Sequence, residues 1–472
     1  MNHKTFKLSL LAACALSLGV SAQASADVKL PSELPAYGKD KALPVPQITK
    51  KTLKNGLEVW VVPRQGLPRV DFVLAVRGAG FSADAPGQDG LASLLAGALN
   101  EGSAQHSSRE IAEAAQGLGG GIGASSNNDG IVVNANALAS NAAPMLKLLA
   151  EVAFSPTYPD KEVALAKANA LQSLKASEAR PAFRASRALS QAIYGDHPYG
   201  RTQPTAEAIN AVTPELLRAE HARRFRPDHS LLVIAGRITP AEALKLAEEY
   251  LGVKKGNGLA AAEVSASRTS APVVHVLLER PGSVQSTVRL GRPGEAASAA
   301  DQVPLRLAST VIGGGFSSRV NINLREEKGY TYGASAGANS FRVGGAIAGG
   351  ADVRNDVTGA SIKEFLSEYK RLGEELVPAE ELDMNKRYVA GGYLISNQLQ
   401  GSVARTLASN WLVGLPSEFL GQYVPLIQKV SAEQVREMGR KYFTPESQSI
   451  VVVGDQKVLD QLKDLGTFTL AK

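Results

Sequence analysis

Apolar residues recur along the chain in two rhythms. Short, nearly continuous or alternating apolar runs predict strands at "LEVWVVP" (57–63), "DFVLAVRG" (71–78), "IVVNANAL" (131–138) and "SLLVIAG" (230–236). Later runs of the same kind are "VVHVLLER" (273–280), "STVRLGRPG" (286–294), "GAIAGGADVR" (345–354) and "SIVVVG" (449–454). Between them, apolar positions at helical spacing predict helices at "AAPMLKLLAEVAF" (142–154), "DKEVALAKANALQSLKASEA" (160–179) and "PAEALKLAEEYLG" (240–252). A further helix is predicted at "GLASLLAGALNEGS" (90–103), with Asn100 to Ser103 as its stop. Strands interrupted by long helices, without regular alternation, predict an α+β fold.

The pattern occurs twice. "VTPELLRAEHARRFRPDHSLLVIAG" (212–236) aligns without a gap with "VSAEQVREMGRKYFTPESQSIVVVG" (430–454). Phe225 matches Phe443, Pro227 matches Pro445 and Gly236 matches Gly454. Each copy reads as a capped helix, a proline turn and a buried strand ending in glycine. A period this long marks duplication of a whole domain, since solenoid repeats run about 20–50 residues. The halves are expected at 47–253 and 272–472, each an antiparallel sheet packed with long helices. Residues 254–271, rich in Gly, Ala and Ser and without apolar period, are expected to be a linker. Residues 27–46 read as an extended leader.

The amino terminus changes the picture of where such a chain works. A basic start (Lys4, Lys7), a short apolar run and the small residues "SAQASA" form a secretory signal peptide, with cleavage expected after Ala26, or after Ala24. Leu11-Ala12-Ala13-Cys14 is also similar to a bacterial lipoprotein box, but the apolar run continues beyond Cys14. Cys14 is the single cysteine, so the chain cut at Ala26 has neither a disulfide nor a thiol nucleophile. These features point to the periplasm. No later stretch reaches the about 20 apolar residues of a membrane span. The formal charge is +6, and the signal removes Lys4 and Lys7. The remaining basic residues are dispersed, without the stripe and interleaved aromatics of a nucleic-acid binder.

The six histidines form no metal pair at helical spacing. In Leu217-Arg218-Ala219-Glu220-His221, leucine stands where a first ligand would be, so Glu220 and His221 read as an exposed helical pair. His197 in "GDHPYG" reads as a turn histidine. No nucleophile elbow, phosphate loop or dinucleotide fingerprint is present. The Gly-rich "LGGGIGASSN" (118–127) is either a turn into a strand or a strand edge bared for a peptide.

The most informative stretch is "IGGGFSSRVNINLREEKGYTYGASAGA" (312–338). Three glycines break a helix, Ser317 or Ser318 can cap a short new one through Arg325, and Gly329 ends it before a strand of small residues. Arg325 falls in the last helical turn and Tyr332 on the strand. By spacing alone, Arg325 could simply complement a helix C-terminus and Tyr332 could be a core aromatic.

"SSRVNINLREEKGYTYG" resembles the Ser-Arg-Leu…Leu-Arg-Glu-x-x-Gly-Leu-x-Tyr element of the pitrilysin/insulinase family of zinc metallopeptidases. The likeness is to the branch of mitochondrial processing peptidase and its two-subunit bacterial relatives. It covers nearly the whole chain after the signal, including the duplication. In active members, the helix matching "GLASLLAG" carries His-x-x-Glu-His, and a later helix adds a Glu. Those four positions are here Ser93, Ala96, Gly97 and Ser173. None is a good zinc ligand, so the resemblance implies no catalytic zinc in this chain. Arg325 and Tyr332 match the family's Arg and Tyr, which hold the substrate backbone and stabilise the developing oxyanion.

The resemblance therefore implies the substrate-binding, non-zinc subunit of a heteromeric metalloendopeptidase. Its partner would be a homologous His-x-x-Glu-His chain carrying the zinc, and its substrates peptides or unfolded polypeptides. The alternative is a structural or assembly subunit, similar in role to the core proteins of the respiratory bc1 complex.

Overall fold

The computed structural model describes residues 46–255 and 263–471. The signal segment, Cys14, nearly all of the leader and the middle of the linker lie outside the described residues. The first half contributes strands β1 (Thr49–Thr52), β2 (Glu58–Pro63), β3 (Arg69–Arg77), β4 (Gly121–Ser126), β5 (Gly130–Leu138) and β6 (Ser230–Gly236). The second contributes β7 (His275–Glu279), β8 (Gln285–Gly294), β9 (Thr331–Phe341), β10 (Gly344–Arg354), β11 (Ser449–Gly454) and β12 (Thr469–Ala471). They form two six-stranded sheets, in the orders β1-β2-β6-β3-β5-β4 and β12-β7-β11-β8-β10-β9. Apart from the outermost β1 and β12, the two orders superimpose strand for strand, so the sequence duplication is a duplication of topology.

The fold is α+β in two matching halves. Each sheet is antiparallel except beside its returning strand. β6 lies parallel to β2, β11 lies parallel to β7, and β12 also runs parallel to β7. A parallel neighbour requires a long crossover, and the helices between Ala142 and Arg224 supply it in the first half. The duplicated stretch folds alike in both copies. Thr213 and Ser431 each accept a hydrogen bond from the third residue of their helices, Pro214–Arg224 and Ala432–Tyr442. A short turn follows, and then a strand whose every residue is buried.

A strand buried on both faces needs a cover on each. One face of the first sheet packs against first-half helices, among them Ala142–Phe154 and Pro240–Tyr250. Its other face, with Trp60, Val73, Leu231 and Val233, is covered by the second-half helix Gln400–Leu412 through Val403, Leu407 and Trp411. The exchange is reciprocal. The first-half helix Pro181–Tyr194 lays Ala185, Leu189 and Ile193 on Val451 and Val453 of the second sheet. The described stretch of the linker follows this seam: Arg268 donates to the carbonyls of Ala192 and Ile193, and the Ser267 N–H to that of Val343.

The seam also holds a polar lock. Asp129, beside the β4–β5 turn, accepts hydrogen bonds from the Tyr199 hydroxyl and from the Arg342 N–H in the β9–β10 turn. Burial pushes the Asp129 carboxyl above its usual range, against the pull of those bonds. Both halves belong to one compact unit. Among the described residues no helix is long and apolar enough to cross a membrane.

Candidate functional site

The helix expected from Gly90 runs from Leu91 to Gly97, after which the chain turns through Ala98 to Asn100. Gly90 opens it at φ 85°, and a Cβ there would lie 2.7 Å from that of Pro204, so only glycine fits. No side chain of its own caps this helix. Asp84 reaches in instead, its carboxylate accepting the Ala92 N–H at 3.1 and 3.2 Å. Ser93 and Gly97 lie one turn apart on the exposed face, whereas Ala96 is 1 % exposed and belongs to the core. The helix packs against β4 and touches the helix Asp160–Glu178, on which Ser173 is exposed. A hydroxymethyl, a buried methyl, a bare Cα and a second hydroxymethyl do not fit a zinc ion. Among the described residues, no three His, Cys, Asp or Glu side chains are grouped to hold a metal.

Beneath this helix lies a charge network that sequence reasoning missed. The Arg224 side chain, 0 % exposed, donates to Asp84 at 2.8 Å, to Glu220 at 2.8 Å and to the carbonyls of Ala79, Gly80 and Ala83. Burial raises the Asp84 carboxyl while Arg224 opposes the rise. Glu220 sits below its ordinary range, because its bonds to Arg223 and Arg224 outweigh the opposing effect of burial. The i, i+4 spacing of Glu220 and Arg224 was the available signal.

Glu220 and His221 are thus not an exposed pair, and their neighbours show why. Glu220 is held by two arginines. His221 stacks on Phe225 with ring centroids 4.4 Å apart and donates from Nε2 to the Ala153 carbonyl at 2.9 Å. Burial pushes the His221 imidazole down from 6.5 to about 4. Between those values the unfolded chain binds a proton that the folded chain refuses, so stability falls as pH falls from about 6.5 towards 4. From pH 7 to pH 5 this group should remove roughly 1–2 kcal/mol. Urea unfolding of His221→Gln should show a pH dependence shallower by that amount. An unchanged slope would mean that His221 titrates alike in the folded and unfolded chain. His197 is a turn histidine: its Nδ1 accepts the Tyr199 N–H and its Nε2 donates to the Ser265 carbonyl.

Arg325 and Tyr332 stand on a built platform. The helix Gln302–Gly313 ends at its glycines, and Ser318 occupies the next N-cap position. Its hydroxyl caps nothing and donates back to the Gly315 carbonyl at 2.6 Å. The turn Arg319–Asn321 then widens into a π-helical segment, Ile322–Glu327, a geometry frequent at functional sites. Gly329, at φ 63°, turns the chain into β9. The platform is pinned from three sides. Arg319 meets Glu381 through two bonds of 2.8 Å, and Asn323 donates to Glu364 and Glu368 at 3.0 Å. Asn321 accepts the Ala334 N–H of β9.

The side chains at issue are left at the surface. The Arg325 side chain is 37 % exposed, 3.4 Å from Glu326 and 5.2 Å over the ring of the exposed Phe316. Tyr332 is 92 % exposed, which rules out a core aromatic. The platform and the helix Leu91–Gly97 lie in different halves. A cleft of about 580 Å³ at the seam is lined by Tyr194, Tyr199, Arg289 and Gly333, and by neither Ser93 and Gly97 nor Arg325 and Tyr332.

Comparison with known proteins gives the family. Residues 71–205 match the family model described as Insulinase (Peptidase family M16), and residues 211–389 the model described as Peptidase M16 inactive domain. The chain is 25 % identical over 405 residues to the uncharacterized zinc protease YmxG of Bacillus subtilis, covering 84 % of this chain and 96 % of that one. It is 22 % identical to the non-peptidase homolog YmxG of Helicobacter pylori, covering 83 % and 90 %. The crystal structure of a peptidase M16 inactive domain from Pseudomonas fluorescens superimposes with a TM-score of 0.82 at 26 % identity, covering 87 % of this chain and 98 % of that one. The chain belongs to the M16, or insulinase, family.

Proposed function

We propose that this protein is the substrate-binding subunit of a heteromeric zinc metalloendopeptidase and does not itself bind the metal. One observation carries the reading. Arg325, on a pinned π-helical turn, and Tyr332, at the start of β9, stand at the surface, while the helix that would bear ligands offers only Ser93, Ala96 and Gly97. The partner is a homologous chain with His-x-x-Glu-His that supplies the zinc. From this chain, the Arg325 fork and the Tyr332 hydroxyl donate hydrogen bonds to the substrate backbone and to the oxygen that becomes negative during attack.

Substrates are peptides or unfolded polypeptides, which can lie extended against a sheet edge. β4 is such an edge, paired with β5 on one side only, and the Gly- and Ala-containing sequence Gly121–Ser126 allows close approach. The signal segment directs the chain to the periplasm. The test is co-purification with a zinc-motif homologue, followed by a peptide-cleavage assay. Cleavage and zinc are expected only in the complex. A zinc-loaded, active single chain would overturn the reading, and a stable complex that cleaves equally well without Arg325 and Tyr332 would identify an assembly subunit instead.

A further inference from the structure

A second set of cations lies at the seam between the halves, away from the platform. Arg77 ends β3, Arg226 and His229 follow the helix Pro214–Arg224, and Arg342 sits in the β9–β10 turn. Together with Asp129 and Glu263 they line a cavity of about 510 Å³.

The acids nearby are largely committed elsewhere. Asp129 accepts from the Tyr199 hydroxyl through one oxygen and from the Arg342 backbone N–H through the other. Asp228 takes Nε and Nη2 of Arg226, at 3.1 and 2.6 Å. Glu263 is exposed.

The guanidiniums are only partly hydrogen-bonded. Arg226 is 8 % exposed, and its Nη1 has no hydrogen-bond partner among the described residues. The same holds for Nε of Arg77, whose Cζ lies 3.8 Å over the Trp411 ring and whose Nη2 donates to the Trp411 carbonyl. Both arginines line the same cavity. The cations also act on one another. Burial, and then Arg342, push Arg77 down to about 10 against the pull of Glu58 and Asp129. Burial lowers His229, and Arg226, Arg77 and Arg342 add to the fall against the pull of Asp228.

We infer that this cavity binds a small oxyanion, a phosphate or a carboxylate, between Arg77 and Arg226 of the first half and Arg342 of the second. Planar forks of donors suit either oxyanion. Because the ligand touches both halves, it ties the seam beside the Asp129–Tyr199 lock. The site is distinct from Arg325 and Tyr332 and does not depend on proteolysis.

The test is calorimetric titration of the purified chain with inorganic phosphate, and separately with acetate, against chloride at equal ionic strength. Saturable binding and a rise in melting temperature are expected with at least one oxyanion and not with chloride. Binding of phosphate alone or of acetate alone assigns the source, and either upholds the site. Arg226→Gln should weaken binding at least tenfold. Arg342→Gln changes an exposed side chain, so it leaves the fold intact and should weaken binding by a similar factor. Equal effects of phosphate, acetate and chloride would overturn the inference, as would unchanged affinity in a folded Arg342→Gln protein.

Discussion

Arg325→Ala is expected to lower kcat for peptide cleavage by the reconstituted two-chain enzyme about 10²- to 10³-fold, the usual effect of deleting one donor to a developing oxyanion. Tyr332→Phe, which removes a single hydroxyl, should fall at or below the lower end of that range. Neither change should alter zinc content or complex formation. The structure separates this expectation from a folding defect. Tyr332 is almost wholly exposed, and Arg325 leans on Glu326 and Phe316, both exposed themselves. Truncating such side chains should move chain stability by no more than about 0.5 kcal/mol. Arg325→Lys keeps the charge and loses the fork, so it should recover part of the rate. Normal kcat in both deletion variants would remove the pair from the mechanism.

Arg224→Ala is the largest expected change in stability, about 3–5 kcal/mol by urea unfolding. The substitution strands the Asp84 carboxylate and removes the guanidinium from the carbonyls of Ala79, Gly80 and Ala83. It also loosens the segment that positions the helix Leu91–Gly97, since Asp84 holds that helix by the Ala92 N–H. Asp84→Asn in the Arg224→Ala background should cost far less than in the native chain, because the charge it removes has already lost its partner. A loss under 1 kcal/mol for Arg224→Ala would mean that the carboxylate finds water when the arginine is gone.

Much of the local structure was legible from period and punctuation. The helix Ala142–Phe154 and the strand Ser230–Gly236 have the bounds their apolar runs predict. Polar residues were read less well. His221 looked solvated because its partner lies far along the chain, and Glu220 because the arginines three and four positions on were not read as its partners. Yet the acceptor of the His221 proton is the carbonyl of Ala153, and Asp84 reaches the same helix through Arg224. The edge strands β1 and β12 were not predicted. Both are short and largely exposed, so neither carries an apolar signal.

By itself the sequence determined the duplication, the sheets' central strands and the placement of Arg325 and Tyr332 around a glycine turn. These depend on residue type and on spacing within one or two elements, where period, caps and breakers act. Tertiary structure alone decided that the two halves exchange covering helices, Pro181–Tyr194 for Gln400–Leu412. It also decided that Tyr332 faces water and that Arg77, Arg226 and Arg342 share one cavity. A fully apolar strand announces that both its faces must be buried. Which distant surface buries them, and which charges meet as a result, is set by packing across the whole chain.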